Sequence, residues 1–156
     1  MKRIKNIFFV VFVSPELLVF LSIGAVGHFY PAILESVGAK IKADSEVWKY
    51  LPTLTLAFAA MTFRLSSKLR APLDNSSNKA LYEWTYYPLL VDRVMVSLLF
   101  SVVCGISALA LWIYGDTLSP LQIGAIFLGS TIAVSATALT MLLAHQTLRE
   151  ILERYG

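Results

Sequence analysis

The amino-acid sequence predicts an all-α polytopic membrane protein with four transmembrane helices, both ends in the cytoplasm and a fourth helix that extends beyond the membrane. Hydrophobic residues make up 57% of the chain and charged residues only 15%, whereas soluble domains have roughly 45–50% and about 25%. A helix needs about 20 residues to cross a bilayer, and four apolar stretches are close to this length. Basic residues, in addition, concentrate in the segments that would share one side.

The predicted layout is a single domain that covers residues 1–156. Its parts are spans near residues 7–30, 48–68, 89–114 and 120–146, a cytoplasmic loop 69–88 and a cytoplasmic tail 147–156. Backbone groups in lipid must form their hydrogen bonds within the segment, so the spans are predicted to be helices. No alternating pattern of about ten residues points to a barrel.

The first span follows three basic residues, and no small-residue cleavage site is evident, so we interpret it as uncleaved. Ser14-Pro15-Glu16 has the residue types of a helix start inside this apolar run. Two layouts fit. Residues 2–13 lie along the membrane surface and the span begins at Ser14, or one kinked helix crosses with Glu16 about 10–15 Å inside.

The second span carries Arg64 directly after an apolar run, residues 51–63, that is too short to cross alone. Arg64 and Glu16 fall at similar depth, and a charge inside a membrane indicates a functional residue with a partner. The sequence therefore predicts a Glu16–Arg64 pair. The alternative is that Arg64 extends to the interface while Glu16 only caps a helix start.

The third and fourth spans carry small residues every four positions, and Ser119-Pro120 is a predicted helix start. These faces are Ser97, Ser101 and Gly105, and Ala125, Gly129, Ala133 and Thr137. They fit close helix packing within one chain or contacts between copies in an oligomer. Further hydroxyls are compatible with a hydrated path between protomers: Thr53, Thr55, Thr62, Ser130, Thr131, Ser135 and Thr140.

The cytoplasmic surface is predicted to combine an aromatic loop and an amphipathic tail. The loop, which restarts a helix near Lys79, contains Tyr82, Trp84, Tyr86 and Tyr87, and the tail has helical spacing of Leu148, Ile151, Leu152 and Tyr155. Exposed apolar patches mark interaction sites, so these residues form a candidate docking surface for a cytosolic partner. Packing within the chain and contact with membrane lipids is the alternative.

Orientation follows from the basic side chains. With the N-terminus inside, only three of the 13 Lys and Arg face outward, namely Lys40, Lys42 and Lys49. The positive-inside rule therefore selects cytoplasmic ends.

Enzymatic chemistry is not expected. The sequence has no Gly-rich phosphate loop, no metal-spaced His pair and no nucleophile with its base, and His28 and His145 lie on opposite sides of the predicted membrane. Cys104 is the one cysteine. We therefore predict no catalytic residue, cofactor or metal. Because acidic residues interrupt the basic loop, it suits anionic lipid better than direct nucleic-acid binding.

The layout resembles the small four-span membrane proteins of bacterial anti-phage systems. The resemblance rests on the chain length, the transition LAFAAMTFRLSSKLR at residues 56–70, the Tyr/Trp-rich inner loop and the closing LAHQTLRE at residues 143–150. The membrane component of the lambdoid Rex exclusion system is similar, as are the membrane subunits of Kiwa defence systems (KwaA). The resemblance implies an inner-membrane homo-oligomer, a tetramer being favoured, that senses infection and recruits a KwaB-like cytosolic effector acting on nucleic acid.

Three functions are compatible with these features. The leading hypothesis is a sensor or scaffold that docks an effector through residues 69–92 and 147–155. A pore or ion channel follows from Glu16, Arg64 and the hydroxyl-rich spans. A small multidrug-type transporter would use Glu16 as its proton-coupling carboxylate.

Overall fold

The structure is a computed structural model that describes residues 11–12, 14–70, 72 and 78–155. These residues form helices and the turns that join them. The N-terminal basic residues, most of the surface helix considered for residues 2–13, and the centre of the loop 69–88 lie outside the described residues. So do the side chain of Tyr155 and Gly156.

The first helix begins at the predicted signal. Helix α1, Pro15–Phe29, has Ser14 as its N-cap, and the hydroxyl of Ser14 accepts a hydrogen bond of 3.1 Å from the backbone N–H of Leu17. Tyr30 ends α1, and α2, Pro31–Ala43, leaves at a bend of 101°. The segment 31–47, which joins the first two predicted spans, is therefore mostly helical.

Helix α2 packs backbone to backbone against the start of the last helix. A Cβ atom on Gly38 would lie 1.8 Å from the carbonyl oxygen of Pro120, and one on Gly124 would lie 2.0 Å from the carbonyl oxygen of Leu34. Only glycine permits this approach, since any side chain would collide with a main-chain atom. The two glycines thus fix α2 across the end of the bundle.

Side-chain caps also mark the starts of two later helices. Helix α3 is Ser45–Arg70, α4 is Lys79–Glu83, α5 is Tyr87–Tyr114 and α6 is Pro120–Tyr155. Asp44 accepts hydrogen bonds from the first backbone N–H groups of α3. Ser119 and Gln122 exchange hydrogen bonds of 3.4 and 3.0 Å in a capping box at the start of α6. The predicted helix starts near Lys79 and at Ser119-Pro120 are confirmed.

A short turn joins α5 to α6. This 3-10 turn is Gly115–Thr117, and the ammonium group of Lys42 donates hydrogen bonds of 3.1 and 3.2 Å to the carbonyl oxygens of Asp116 and Leu118. A cation at this position satisfies carbonyl groups near the negative end of α5. The contact ties α2 to the same end of the molecule as the turn.

Three apolar clusters show how the long helices run. Along α3, Leu51 lies in the first cluster with Leu111 of α5 and Ile123 of α6. Ala59 lies in the second with Cys104 and Ala133. Leu65 lies in the third with Val94 and Met141. Helix α3 is therefore antiparallel to α5 and parallel to α6 over its whole length. Helix α1 joins the middle cluster through Val19 and Phe20, and a Cβ on Gly129 would lie 3.7 Å from Phe20.

The helices form an up-down-up-down bundle with two distinct ends. We call the end at which α3 stops, α5 starts and α6 continues to Tyr155 the tail end. The opposite end, with α2 and the turn Gly115–Thr117, is the turn end. Helix α1 starts toward the tail end.

The protein is an all-helical membrane protein with two or three candidate spans. The stretches Tyr87–Thr117 and Pro120–Arg154 are long and apolar enough to cross, and each contains an 18-residue window whose mean hydropathy is 2.5 and 1.9, respectively. The bent pair α1 and α2 is the third candidate. Helix α3 has sufficient length but contains Pro52 and carries Arg64, Lys68 and Arg70 toward its end, which lowers its hydropathy. Length and hydropathy thus support two of the four predicted spans, or three if the bent pair is one span.

Candidate functional site

Glu16 is the centre of a polar cluster inside the bundle. Its side chain is 0% exposed although it stands in the first turn of α1. The helix start explains this position, because the cap by Ser14 and the proline that follows place residue 16 on the face that meets α5 and α6. Ser14 is itself completely buried.

Three side chains from two other helices donate hydrogen bonds to the Glu16 carboxylate. The Nη2 atom of Arg93 lies 2.8 Å from Oε2 and 3.1 Å from Oε1. The hydroxyls of Ser97 and Thr137 donate to Oε1 at 3.1 and 2.8 Å. A buried carboxylate needs such partners, because its desolvation cost is otherwise uncompensated. The cluster therefore connects α1, α5 and α6.

The pair that forms is Glu16–Arg93, so the predicted partner Arg64 is wrong. Arg64 is exposed on α3, whereas Thr62, two positions earlier, is fully buried. Two positions rotate a helix by about 200°, which directs Arg64 away from the bundle. Sequence reasoning did not single out Arg93 as a partner of Glu16. The signal it did not use is that Arg93 and Ser97 are four residues apart, on one face of α5.

A cleft of about 230 Å³ lies beside this cluster, between α3, α5 and α6. Arg93 and Ser97 line it together with the Thr140 hydroxyl, and its other walls are apolar: Leu69, Leu90, Val94, Met141 and Ala144. The Nη1 atom of Arg93 is buried and has no hydrogen-bond acceptor among the described residues. The guanidinium group thus donates hydrogen bonds to Glu16 from Nη2, while Nη1 has no acceptor among the described residues.

The two small-residue faces lie inside one chain. Their members are buried except Ala125, which is half-buried, and include Ser97, Ser101, Gly105, Gly129, Ala133 and Thr137. In particular, a Cβ on Gly105 would lie 3.4 Å from Leu56 of α3. The small side chains on these faces are explained by the close approach of α1 and α3 within one chain, so no contact between copies is needed to explain them.

The aromatic residues of the loop are exposed at the tail end. Tyr82, Trp84 and Tyr86 are each about half exposed or more, and Tyr87 is half-buried. The rings form two edge-to-face pairs, Tyr82 with Tyr87 and Trp84 with Tyr86. Leu81 is buried and holds this short segment against the rest of the chain.

The apolar stripe of the tail is divided between two environments. Leu148 packs against the cluster of Leu65 and Met141, and Leu152 is buried. Ile151 is 49% exposed. The side chain of Tyr155 lies outside the described residues. Only part of the predicted docking stripe is therefore available at the surface.

Residues of the types that bind metal ions are spread along the described part of the chain. No group of three or more His, Cys, Asp and Glu residues there is placed to hold a metal ion. Cys104 is buried in the middle apolar cluster.

Comparisons with family models, curated proteins and solved structures find no match to this chain.

Proposed function

We propose that this chain is a four-span scaffold of the bacterial inner membrane that docks a cytosolic effector protein on the end of α6. The observation that carries the proposal is the length of α6 together with the exposure of Ile151. Helix α6 has 36 residues and is about 54 Å long, whereas a bilayer with its headgroups is about 40–45 Å thick. An unbroken helix of this length projects beyond the lipid.

The four-span layout is supported by the packing of α3. This helix of 26 residues is about 39 Å long and follows α5 and α6 through all three apolar clusters. A helix packed alongside two spans for its full length crosses with them. The hydroxyls of Thr55, Thr62 and Ser66 are tolerated because they are buried against protein instead of lipid.

The proposed orientation is supported by charge. Apart from Lys49, the basic residues of α3, α4, α5 and α6 that the structure describes lie at the tail end: Arg64, Lys68, Arg70, Lys79, Arg93, Arg149 and Arg154. The turn end carries Lys40, Lys42 and Lys49. Under the positive-inside rule the tail end is cytoplasmic.

The aromatic loop supports the same placement. Helix α5 has 28 residues and is about 42 Å long, so Tyr86 and Tyr114 at its two ends are separated by the thickness of a bilayer with headgroups. Both are exposed, as expected for aromatic residues at the two interfaces. We therefore place the loop rings at the headgroups and the docking surface on the exposed side of the tail, at Ile151.

A photo-crosslinking residue introduced at Ile151 tests this proposal in cells that carry the chain with its neighbouring genes. We expect a covalent adduct with a cytosolic protein, encoded beside this chain, from position 151. The same residue at Ile113, which is also exposed but lies within the proposed span, gives no protein adduct with that partner. Adducts with lipid alone at both positions would contradict the proposal.

The substitution Ile151→Asp is expected to reduce co-purification of that partner at least tenfold, since it removes the exposed apolar contact. Glu150→Gln, on the neighbouring exposed position, is the matched control and should leave co-purification unchanged. Leu148 is unsuitable for this test because it packs inside the chain. Equal co-purification with Ile151→Asp would contradict docking at the tail.

The defence role, a homo-oligomeric state and a KwaB-like partner remain proposals that rest on the resemblance in layout. The pore and transporter hypotheses also stay predictions. For the transporter, Glu16 would have to release its three hydrogen-bond donors before it could carry a proton. A drug-resistance phenotype that Glu16→Gln abolishes, in a chain that still inserts, would favour the transporter over the scaffold.

A further inference from the structure

The starting observation is a cation that its protein partners do not satisfy. The Nη2 atom of Arg93 donates hydrogen bonds to the Glu16 carboxylate, while its buried Nη1 atom has no acceptor among the described residues. Leaving a buried charged donor without an acceptor is unfavourable. The Arg93 side chain, which is 27% exposed, lines the cleft between α3, α5 and α6, so an anionic group that enters the cleft meets the guanidinium group.

The cleft has the shape and composition for an amphiphile. Five of its eight lining side chains are aliphatic or thioether groups, and they surround one guanidinium group. Its volume of about 230 Å³ exceeds the roughly 150 Å³ of an apolar cavity that accommodates benzene. It is therefore larger than a single inorganic ion requires, and apolar walls would not solvate such an ion.

The depth of Arg93 matches the headgroup boundary. Arg93 precedes the exposed Tyr114 on α5 by 21 residues, which corresponds to about 31 Å along the helix. The hydrocarbon core is about 30 Å thick. Arg93 also follows Tyr86 by seven residues, about 10 Å. With both tyrosines in the headgroup layers, Arg93 therefore lies near the boundary between hydrocarbon and headgroups at the tail end.

A second cation lies next to the cleft in the chain. Arg70 follows Leu69, a wall residue, and extends across to α5, where its Nη2 atom lies 3.5 Å from the sulfur of Met95. Arg70 remains exposed at the tail end. Basic residues between transmembrane helices at the cytoplasmic side are the feature that recognises anionic lipid headgroups. Because Glu16 neutralises much of the charge of Arg93, Arg70 supplies the preference for a net negative lipid.

We propose that this cleft is a binding site for an anionic phospholipid of the leaflet at the tail end. A phosphate oxygen pairs with the guanidinium group of Arg93, and the upper part of an acyl chain lies against Leu90, Val94 and Met141. Bound lipid then adds an anionic partner to the guanidinium group that holds Glu16. The site is independent of the docking surface at Ile151 and requires only that the bundle is embedded in a membrane.

The test is native mass spectrometry of the full-length chain in detergent, titrated with phosphatidylglycerol, with phosphatidylcholine or with inorganic phosphate. We expect one phosphatidylglycerol per chain to bind at least tenfold more tightly than phosphatidylcholine, and no retained inorganic phosphate. Equal retention of both lipids would overturn the site. Retention of inorganic phosphate at the affinity of phosphatidylglycerol would overturn the assignment to lipid.

Two variants locate the binding. Ala144→Phe fills the cleft from α6 while every hydrogen-bond donor of Glu16 is kept, and it should weaken phosphatidylglycerol binding at least tenfold. Leu143→Phe, an exposed neighbour, is the matched control and should bind as the unmodified chain does. Arg93→Lys keeps one cationic nitrogen for Glu16, lacks the second, and should also weaken binding. Unchanged binding by Ala144→Phe would place the lipid elsewhere and overturn the proposal.

Discussion

The residue on which the arrangement of this bundle depends is Glu16, a carboxylate with no exposed surface in the first turn of an apolar helix. Its side chain accepts hydrogen bonds from Arg93 and Ser97 of α5 and Thr137 of α6. Each donor occupies a position that apolar packing would otherwise fill. The cluster thus makes the register of three helices depend on one charged group.

Removal of Arg93 tests this dependence. Arg93→Met leaves the Glu16 carboxylate buried without its cation, and loss of one partner of a buried pair costs about 3–5 kcal/mol. Arg64→Met is the matched control, because Arg64 is exposed, and should cost no more than about 0.5 kcal/mol. Unfolding in mixed detergent micelles measures both values. A larger loss from Arg64→Met would restore the pairing that the sequence predicts.

Hydroxyl pairs between helices make a smaller contribution at the same scale. The Thr55 side chain is fully buried, and its hydroxyl lies 2.9 Å from that of Thr131. Thr55→Val should cost about 0.6 kcal/mol, the average for such bonds in membranes. Thr53→Val is the control on the same helix, because the Thr53 hydroxyl donates to a carbonyl of its own helix. Unfolding of both variants under one set of conditions gives the difference.

At the scale of elements, the backbone contact between α2 and α6 leaves no room for an added side chain. Gly38→Ala would place a Cβ 1.8 Å from the carbonyl oxygen of Pro120, so α2 would have to move. We expect a loss of about 1–3 kcal/mol, as for overpacked interiors. Gly24→Ala adds the same atom on α1 where nothing lies within 4 Å. It should be neutral or stabilise by up to about 1 kcal/mol.

Thermal unfolding of the two glycine variants in detergent measures this difference. A separate readout is the bend itself. A disulfide or crosslinker that joins α2 to the turn Gly115–Thr117 should form less readily in Gly38→Ala and normally in Gly24→Ala. Equal behaviour of the two variants would mean that α2 is not held by its backbone contact with α6.

The elements that the sequence could predict are those with local signals. Apolar length predicted α5 and α6, and Ser-Pro pairs predicted the starts of α1 and α6 at the residues where the caps are found. Helix α2 could not be placed by these rules. It is weakly apolar, and what holds it is the meeting of Gly38 with Gly124, two residues 86 positions apart in the chain.

The candidate site illustrates the same limit. Depth along a helix can be counted from the sequence, so a carboxylate and a cation at similar depth were foreseeable. Rotation about the helix axis decides which cation meets Glu16, and it depends on which face α3 buries. Thr55, Thr62 and Leu69 set that face, and Arg64 lies opposite to it. This information appears only when three helices are packed together.

At the scale of the whole molecule, the arrangement of the long helices predicts which loops share a side of the membrane. Cys104 is 1% exposed, so single cysteines introduced elsewhere can be labelled with little background. Cysteines at Ala43 and Thr117 should react with a membrane-impermeant maleimide in intact cells. Cysteines at Tyr86 and Arg154 should react only after the cells are permeabilised.

The comparison of Ala43 with Tyr86 tests whether α3 crosses the membrane. These positions lie at the two ends of the segment that contains α3, and four spans require them to be labelled from opposite sides. Labelling of both from the same side would limit the chain to the spans that hydropathy alone identifies. Arg154 labelled from outside would reverse the orientation and remove the proposed docking surface from the cytosol.

The separation of Glu16 from Arg93 also has a consequence for biosynthesis. The two residues are 77 positions apart, and ribosomes add about 5–20 residues per second, so the acidic segment emerges about 4–15 s before its counter-ion. During that interval the Glu16 carboxylate is in the insertion machinery without its partner Arg93. Nascent chains stalled before α5 are therefore expected to be degraded faster than those stalled just after it, and a pulse–chase of staged truncations would measure the delay.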